Sequence, residues 1–231
     1  MGIYLCTYRP LIGSQAGREA ISEYQLLPYI DASFRREPDF EREYPSISAL
    51  CHGGNFAPHR CVGDIVIYMT KLGKYPDAPV TEKHWRLTAI LKVYQRFNSH
   101  REAATWYNKH QGKLPSNCMV PGNPPVPLAQ SERRFHLTPP PQPIPLRYAR
   151  HQLPVLDNDL CTLDSSYEKR ATRWGVFLAC TACFKELYSP PFIPREQMLD
   201  IFGKIPGTRS CCRVSEEAFK KLCSFCGISS C

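Results

Sequence analysis

The sequence lacks the features that mark a membrane protein or an exported protein. No stretch of about eighteen consecutive apolar residues occurs, which is the minimum for a helix that spans a bilayer. The N-terminal residues have neither the basic segment nor the long apolar segment of a secretory signal. We therefore expect a cytoplasmic protein without a membrane partner.

The sequence also lacks the common signatures of nucleotide chemistry. It contains no Gly-x-x-x-x-Gly-Lys-Ser phosphate loop and no Gly-x-Gly-x-x-Gly turn. The His-x-Glu and Pro-Cys-x-x-Cys combination of zinc deaminases is absent too. These absences favour a binding protein over an enzyme, although an unfamiliar chemistry stays open.

The composition describes a folded and moderately basic chain. It has 231 residues, of which 43% are hydrophobic and 11% aromatic, enough for a hydrophobic core. The 29 basic and 21 acidic side chains give a formal net charge of +8. A basic excess of this size favours a nucleic acid or nucleotide partner, and solubility alone is the alternative explanation.

The distribution of proline divides the chain into three parts. Residues 1–120 have the patterns of an α/β domain. Residues 121–154 are so rich in proline that we expect an extended strap, which offers a binding segment for a protein partner. Residues 155–231 regain apolar periodicity, and we expect a smaller cysteine-rich α/β extension packed on the first domain.

Local patterns predict the secondary structure. Alternating or β-branched runs predict strands at 3–8, 46–50, 65–69, 85–97 and 174–179. Capping signals and apolar spacing predict helices at 14–27 and 195–202, a third after the Ser99–Glu102 capping box, and a fourth after Ser215. Trp106 lies at helical spacing, which favours a core position for it.

The order of elements from residue 46 to residue 107 carries a resemblance. Gly63-Asp64 precedes a β-branched run, and the segment Leu87–Val93 follows with a Leu-x-Ala-x-x-x-Val pattern. This order resembles the PUA-like superfamily of EVE, ASCH and YTH domains. In layout it is similar to the nucleotide-modification-associated domain families. The resemblance implies an α+β fold, a PUA/EVE-like mixed β-barrel with packed helices.

The same resemblance implies a cleft that accepts a base, frequently one flipped out of its strand. Such a cleft needs aromatic faces for stacking, polar groups for the base edge and cations for phosphates. The candidate residues for base and nucleic-acid binding are His52, Gly53, Gly54, Asn55, Phe56, His59, Arg60, Tyr68, Lys71, Lys74, Tyr75, Trp85, Arg86, Asn117 and Asn123. Each of them also has an ordinary structural explanation in a turn, a core or a solvated loop.

Twelve cysteines are many for a protein without an export signal. Two Cys-x-x-Cys pairs, Cys180 with Cys183 and Cys223 with Cys226, have the spacing of a structural zinc site. The same cysteines also suit buried thiols, or a redox pair or disulfide. Zinc is the cofactor that the sequence suggests, and no other is indicated.

Three functional hypotheses follow from these observations. The first is a nucleic-acid-binding protein that reads a modified base in DNA or RNA. The second is an enzyme that modifies a nucleotide or a DNA base, for which no catalytic residue can be assigned from the sequence. The third is a scaffold that binds a protein partner through the proline-rich strap.

Overall fold

The computed structural model describes residues 1–33, 35–50, 52–77, 82–123, 167–207 and 211–229. Within these ranges the chain has a mixed α+β fold, with a curled half-barrel sheet and five helices packed around it. Among the same residues, no helix combines the length and the apolar character that crossing a membrane requires. Most of the predicted strap, residues 124–154, lies outside the described ranges.

The sheet combines strands from both ends of the chain. The strands are β1 (Ile3–Tyr8), β2 (Ser46–Ser48), β3 (Ile65–Thr70), β4 (Trp85–Phe97), β5 (Phe177–Lys185), β6 (Phe192–Ile193) and β7 (Cys212–Arg213). Their order is β2-β5-β4-β3-β1-β7, with β6 paired to the start of β4. The β1–β3 pair is parallel, and the other neighbouring pairs are antiparallel.

The described helices are short, and three of them begin at a capping serine. They are α1 (Gln15–Tyr24), α2 (His100–His110), α3 (167–173), α4 (Arg195–Phe202) and α5 (Glu216–Phe225). The hydroxyl groups of Ser14, Ser99 and Ser215 accept hydrogen bonds from backbone N–H groups of the first turns of α1, α2 and α5. The helix predicted over 14–27 ends earlier because Gln25 adopts a left-handed conformation, with φ of 52°.

Both faces of the sheet are buried, each in its own hydrophobic cluster. On β1 and β3, Cys6 and Val66 belong to the first cluster, and Leu5 and Ile67 belong to the second. This alternation follows the period of two of a strand. Residues from the segments between β1 and β3 cover the first face, whereas α4 and α5 cover the second face.

The C-terminal part of the chain completes the sheet instead of packing on it as an extension. Strand β5 lies between β2 and β4, so it occupies an interior position. Strand β7 pairs with β1, and a disulfide between Cys6 and Cys211 joins the same two segments. Structural disulfides persist mainly in oxidising compartments, so this bond does not favour the expected cytoplasmic location.

Two carboxylates, Asp31 and Glu37, are buried in the segment between α1 and β2. Glu37 accepts hydrogen bonds from the backbone N–H and the hydroxyl of Ser48 and from the amide of Asn117. Burial raises the pKa of Glu37 to about 7 in spite of these hydrogen bonds. Burial likewise raises the pKa of Asp31 to about 6, against the lowering effect of Ser33.

The raised pKa of Glu37 predicts a specific dependence of stability on pH. The folded state holds the carboxyl proton of Glu37 more tightly than the unfolded state does. Its contribution to the free energy of unfolding is therefore present below the ordinary pKa of 4.5 and is lost as pH rises through about 7. The loss amounts to ~3 kcal/mol for a fully buried group. Glu37→Gln carries no such ionisation, so its free energy of unfolding relative to the natural protein is expected to rise by that order between pH 5 and pH 8.

Urea denaturation at several pH values measures this difference. Glu23→Gln is the matched control, because Glu23 is an exposed carboxylate on α1. The Glu23 variant is expected to follow the natural protein at every pH. If the Glu37 and Glu23 variants have the same pH profile relative to the natural protein, Glu37 does not titrate as argued.

Candidate functional site

The loop of residues 52–60 is the framework of the candidate site. It joins β2 to β3 through two consecutive 3-10 turns, Gly53–Asn55 and Ala57–His59. Phe56 and Ala57 are buried in the first hydrophobic cluster and hold the backbone of the loop in place. Asn55 and His59 are exposed, and His52 is half-buried. The loop therefore presents polar side chains from an anchored backbone.

Arg60 is the most unusual cation of this loop. It is only 8% exposed, and its guanidinium carbon lies 3.5 Å from the ring centroid of Tyr4 and 4.9 Å from that of Phe56. Its Nε donates to the carbonyl of Phe56 at 3.3 Å, while Nη1 has no hydrogen-bond partner among the described residues. Nη1 is itself covered by protein, so Arg60 adds positive charge beneath the loop without being open to a ligand.

Helix α3 brings a tryptophan and two arginines to the same loop. A Cβ atom at Gly54 would lie 2.6 Å from Nε1 of Trp174, so the indole packs directly on this glycine. The guanidinium of Arg173 lies 4.8 Å from the Trp174 ring centroid. Nη1 of Arg170 donates to the carbonyl of Leu50 at 2.6 Å, which fixes the helix to the segment leading into the loop.

The electrostatic environment of the loop is positive. The pKa of His52 is lowered by burial and, in second place, by the charge of Lys71. His52 is therefore a neutral imidazole at pH 7, able both to donate and to accept a hydrogen bond. We call the whole group the loop 52–60 site: Tyr4, residues 52–60, Lys71, Arg170, Arg173 and Trp174.

Several residues predicted from the sequence lie elsewhere, in structural positions. Tyr68 and Trp85 are buried in the two hydrophobic clusters, and Tyr75 packs on Tyr29. Arg86 is buried and forms an ion pair with Asp77 at 3.0 Å. Direct contact between these residues and a base is not supported, because their side chains are covered by protein.

The two predicted asparagines also hold the fold together. Asn117 is buried between Ser46 and Glu37, and Asn123 donates to the carbonyls of Pro115 and Cys118. Lys74 is exposed, and none of its described contacts connects it to the loop 52–60 site. Of the predicted set, the structure brings together residues 52–60 and Lys71.

Sequence reasoning missed Tyr4, Arg170, Arg173 and Trp174. Trp174 was predicted to begin a strand, but it follows α3, and β5 begins three residues later at Phe177. The useful signal was the spacing of Arg170 and Arg173, which places two cations on one helical face directly before an aromatic residue. Only the fold shows which loop that face contacts.

The four cysteines of the predicted zinc site do not meet at one point. Cys180 is buried in the first cluster, whereas Cys183, Cys223 and Cys226 pack with the second. Cys183 is disulfide-bonded. Within the described ranges, no group of three or more metal-ligating side chains is arranged to hold an ion. Zinc binding stays a prediction that this arrangement does not favour.

A concave region separate from the loop 52–60 site lies beside α2 and α3. It is a cavity of about 700 Å³ bordered by Arg35, His100, Met119 and Glu168. Burial raises the pKa of the nearby Cys118 thiol to about 12, so this thiol is not a nucleophile at neutral pH. Burial lowers the pKa of His100 to about 4, and its Nδ1 accepts a hydrogen bond from the N–H of Met119. The described residues around the cavity thus show no catalytic pair.

The contact between Gly54 and Trp174 predicts a coupled effect of substitution. Gly54→Ala places a methyl group 2.6 Å from the indole nitrogen and must displace it. We expect a loss of roughly 1–3 kcal/mol in the free energy of unfolding, as for other overpacked sites. In a Trp174→Ala background the same substitution is expected to cost much less, and chemical denaturation of the four proteins measures the coupling.

Gly207→Ala is the control, because no atom lies within 4 Å of a Cβ added there. Its stability is expected to match that of the natural protein. An equal cost of Gly54→Ala with and without the Trp174 indole would mean that the loop and α3 are not packed as described.

Comparison with known proteins gives no relative from which a function for this site could be taken. The chain matches no protein-family model, no curated protein and no solved structure. The function must therefore be inferred from the residues of the loop 52–60 site and from the fold that assembles them.

Proposed function

We propose that this protein binds nucleic acid and that the loop 52–60 site receives one base, whose modification it distinguishes. The observation that carries the proposal is a double-glycine loop with the ring of Trp174 packed on Gly54 and cationic side chains around it. The accessible cations are Lys71, Arg170 and Arg173, and the buried Arg60 adds charge beneath the loop. Cations next to aromatic faces are the combination that phosphate and base contacts require.

The cations of the site are not neutralised by neighbouring carboxylates. Among the described residues, none of Arg60, Lys71, Arg170 and Arg173 has a carboxylate oxygen within ion-pair distance. Solvated counterions balance their charge, and a phosphate backbone would release those ions on binding. This release favours association and makes the affinity depend on salt.

Recognition of the base itself is assigned to the polar groups of the loop. His52 is neutral at pH 7, so it can accept or donate at a base edge without adding charge. The exposed amide of Asn55 offers both a donor and an acceptor directly before the buried Phe56 anchor. A modification that removes or adds one hydrogen-bonding group on the base changes the match to these side chains.

The resemblance to PUA-like and EVE-like domains supports the same proposal. A curled half-barrel with helices around it is compatible with that superfamily, and the loop 52–60 site precedes the Gly63-Asp64 turn that carries the resemblance. In this proposal the base enters the site flipped out of its strand, which exposes its edge and both faces.

An enzyme that modifies a base is the second candidate, and His52 is the observation that favours it. A neutral imidazole beside cations is able to take up a proton from a bound base or an attacking water. Incubation with nucleotides and oligonucleotides, followed by mass spectrometry, tests this activity. His52→Ala is expected to abolish a catalysed mass change while phosphate-dependent binding persists.

Fluorescence anisotropy with labelled oligonucleotides tests the binding proposal. The probes are single- and double-stranded DNA and RNA, each with and without one modified base, at two salt concentrations. We expect Lys71→Ala and Arg173→Ala to weaken binding of every sequence by up to about tenfold and to reduce the salt slope by about 1 each. His52→Ala is expected to reduce the discrimination between the modified and the unmodified base.

The matched control for these lysine and arginine variants is Lys220→Ala. Lys220 is an exposed cation on α5, which covers the opposite face of the sheet. Its removal is expected to leave affinity and salt slope within error of the natural protein. Absence of binding at low salt would contradict the proposal and move weight to a partner-binding scaffold that uses residues 121–154.

A further inference from the structure

A second group of aromatic rings lies on the surface between the segment before β2, strand β4 and helix α2. The rings of Tyr44 and Tyr94 are 5.5 Å apart and inclined by 34°. The ring of Trp106 meets that of Tyr44 edge-on at 5.1 Å, and the imidazole of His110 stacks on Trp106 at 4.3 Å and 22°. We call these four residues the aromatic platform.

The aromatic platform is partly open to solvent. Tyr94 is 50% exposed, His110 is exposed, and Tyr44 and Trp106 are half-buried. The sequence favoured a core position for Trp106, and the structure places only its neighbour Tyr107 fully in the core. A contiguous group of partly exposed rings offers apolar surface to a binding partner.

The aromatic platform is held in a fixed arrangement from below. The hydroxyl of the buried Tyr107 donates to the backbone carbonyl of Tyr44 at 2.9 Å. The ring of Phe97, at the end of β4, lies 5.7 Å from Trp106. Nδ1 of His110 is 2.8 Å from the carbonyl of Trp106, which fixes the imidazole on the indole. A ligand that stacks here therefore meets rings that lose little conformational entropy on binding.

Cations flank the rings, with Lys92 and Lys109 exposed and Arg96 half-buried, and Arg96 links the rings to the loop 52–60 site. Lys92 and Arg96 lie two residues on either side of Tyr94 in β4, and Lys109 lies one turn after Trp106 in α2. None of the three is within ion-pair distance of a carboxylate in the described ranges. Arg96 belongs to the strand that carries Tyr94, and it donates to the carbonyl of Pro58 at 3.5 Å. It therefore connects the aromatic platform to the loop 52–60 site.

We propose that the aromatic platform binds unpaired bases of a single-stranded nucleic acid, a more distant base of which occupies the loop 52–60 site. This inference rests on the proposed function and deepens it, because it assigns single strands as the substrate class and gives the strand a path through Arg96. Only unpaired bases offer free faces to aromatic rings, and the flanking cations match the phosphates between them. A duplex has no accessible base face, so it would use the phosphate contacts alone.

Variants of Tyr94 test the platform with two probes of different length. The probes are a twelve-nucleotide oligothymidylate, which is long enough to extend beyond one site, and a trinucleotide. Tyr94→Ala is expected to lower the affinity for the long strand about tenfold, the effect of losing one stacked base. It is expected to leave trinucleotide binding unchanged, and Tyr94→Phe is expected to retain the affinity of the natural protein for both probes.

Tyr188→Ala is the matched control, because Tyr188 is a 72% exposed tyrosine outside the platform. This variant is expected to bind both probes normally. Thermal unfolding of all three variants shows whether a loss of binding reflects a loss of fold, and half-exposed Tyr94 is expected to tolerate substitution.

Two outcomes overturn the inference, and they are distinguishable from failure of the proposed function. If Lys71→Ala weakens binding of the long strand and Tyr94→Ala does not, the platform inference fails and the proposed function stands. If no oligonucleotide binds the natural protein, both fail. In that case a peptide of sequence Pro-Pro-Pro-Gln-Pro-Ile-Pro, from residues 139–145, tests the alternative use of the rings as a polyproline surface.

Discussion

The pairing of β5 with both β2 and β4 is the contact on which the rest of the structure depends. It places a strand from the C-terminal part of the chain in the interior of the sheet. The turn before β5 can enter this position because residue 175 is glycine, and a Cβ there would lie 2.8 Å from the carbonyl oxygen of Asn98. The same pairing brings α3 against Gly54. Without β5, Trp174, Arg170 and Arg173 would not reach the loop that they complete.

The buried carboxylates of the protein and the cations of its candidate site have different surroundings. Glu37 and Asp31 are buried among hydrogen-bond donors, and burial raises the pKa of each. The arginines of the loop 52–60 site contact aromatic rings and backbone carbonyls, and among the described residues they form no ion pair with a carboxylate. In the proposed function, the exposed cations Lys71 and Arg173 supply the positive potential that attracts a polyanion. This difference is the physical reason for preferring nucleic acid over an uncharged ligand.

Local patterns in the sequence were sufficient for elements whose residues interact with near neighbours. The bounds of β1 and β4 match the predicted strands, and the Ser99 and Ser215 caps begin α2 and α5 as predicted. The predictions that depend on long-range packing differed. Tyr68 and Trp85 are aromatic and therefore of a type that stacks on bases. Their side chains are nevertheless buried, because both faces of this sheet are covered. The half of the site contributed by α3 was not predictable, since residues 170–174 meet residue 54 only through the position of β5.

Ultraviolet crosslinking of a bound oligonucleotide tests the central claim most directly, because it reports contact without a substitution. The probe is a single strand with one photoreactive uracil, and peptide mass spectrometry identifies the attached residues. The account predicts crosslinks to residues 52–60 and to Trp174, with further crosslinks to Tyr94 or Trp106 when the photoreactive base lies a few nucleotides away. Crosslinks confined to α4 and α5, on the opposite face of the sheet, would contradict it.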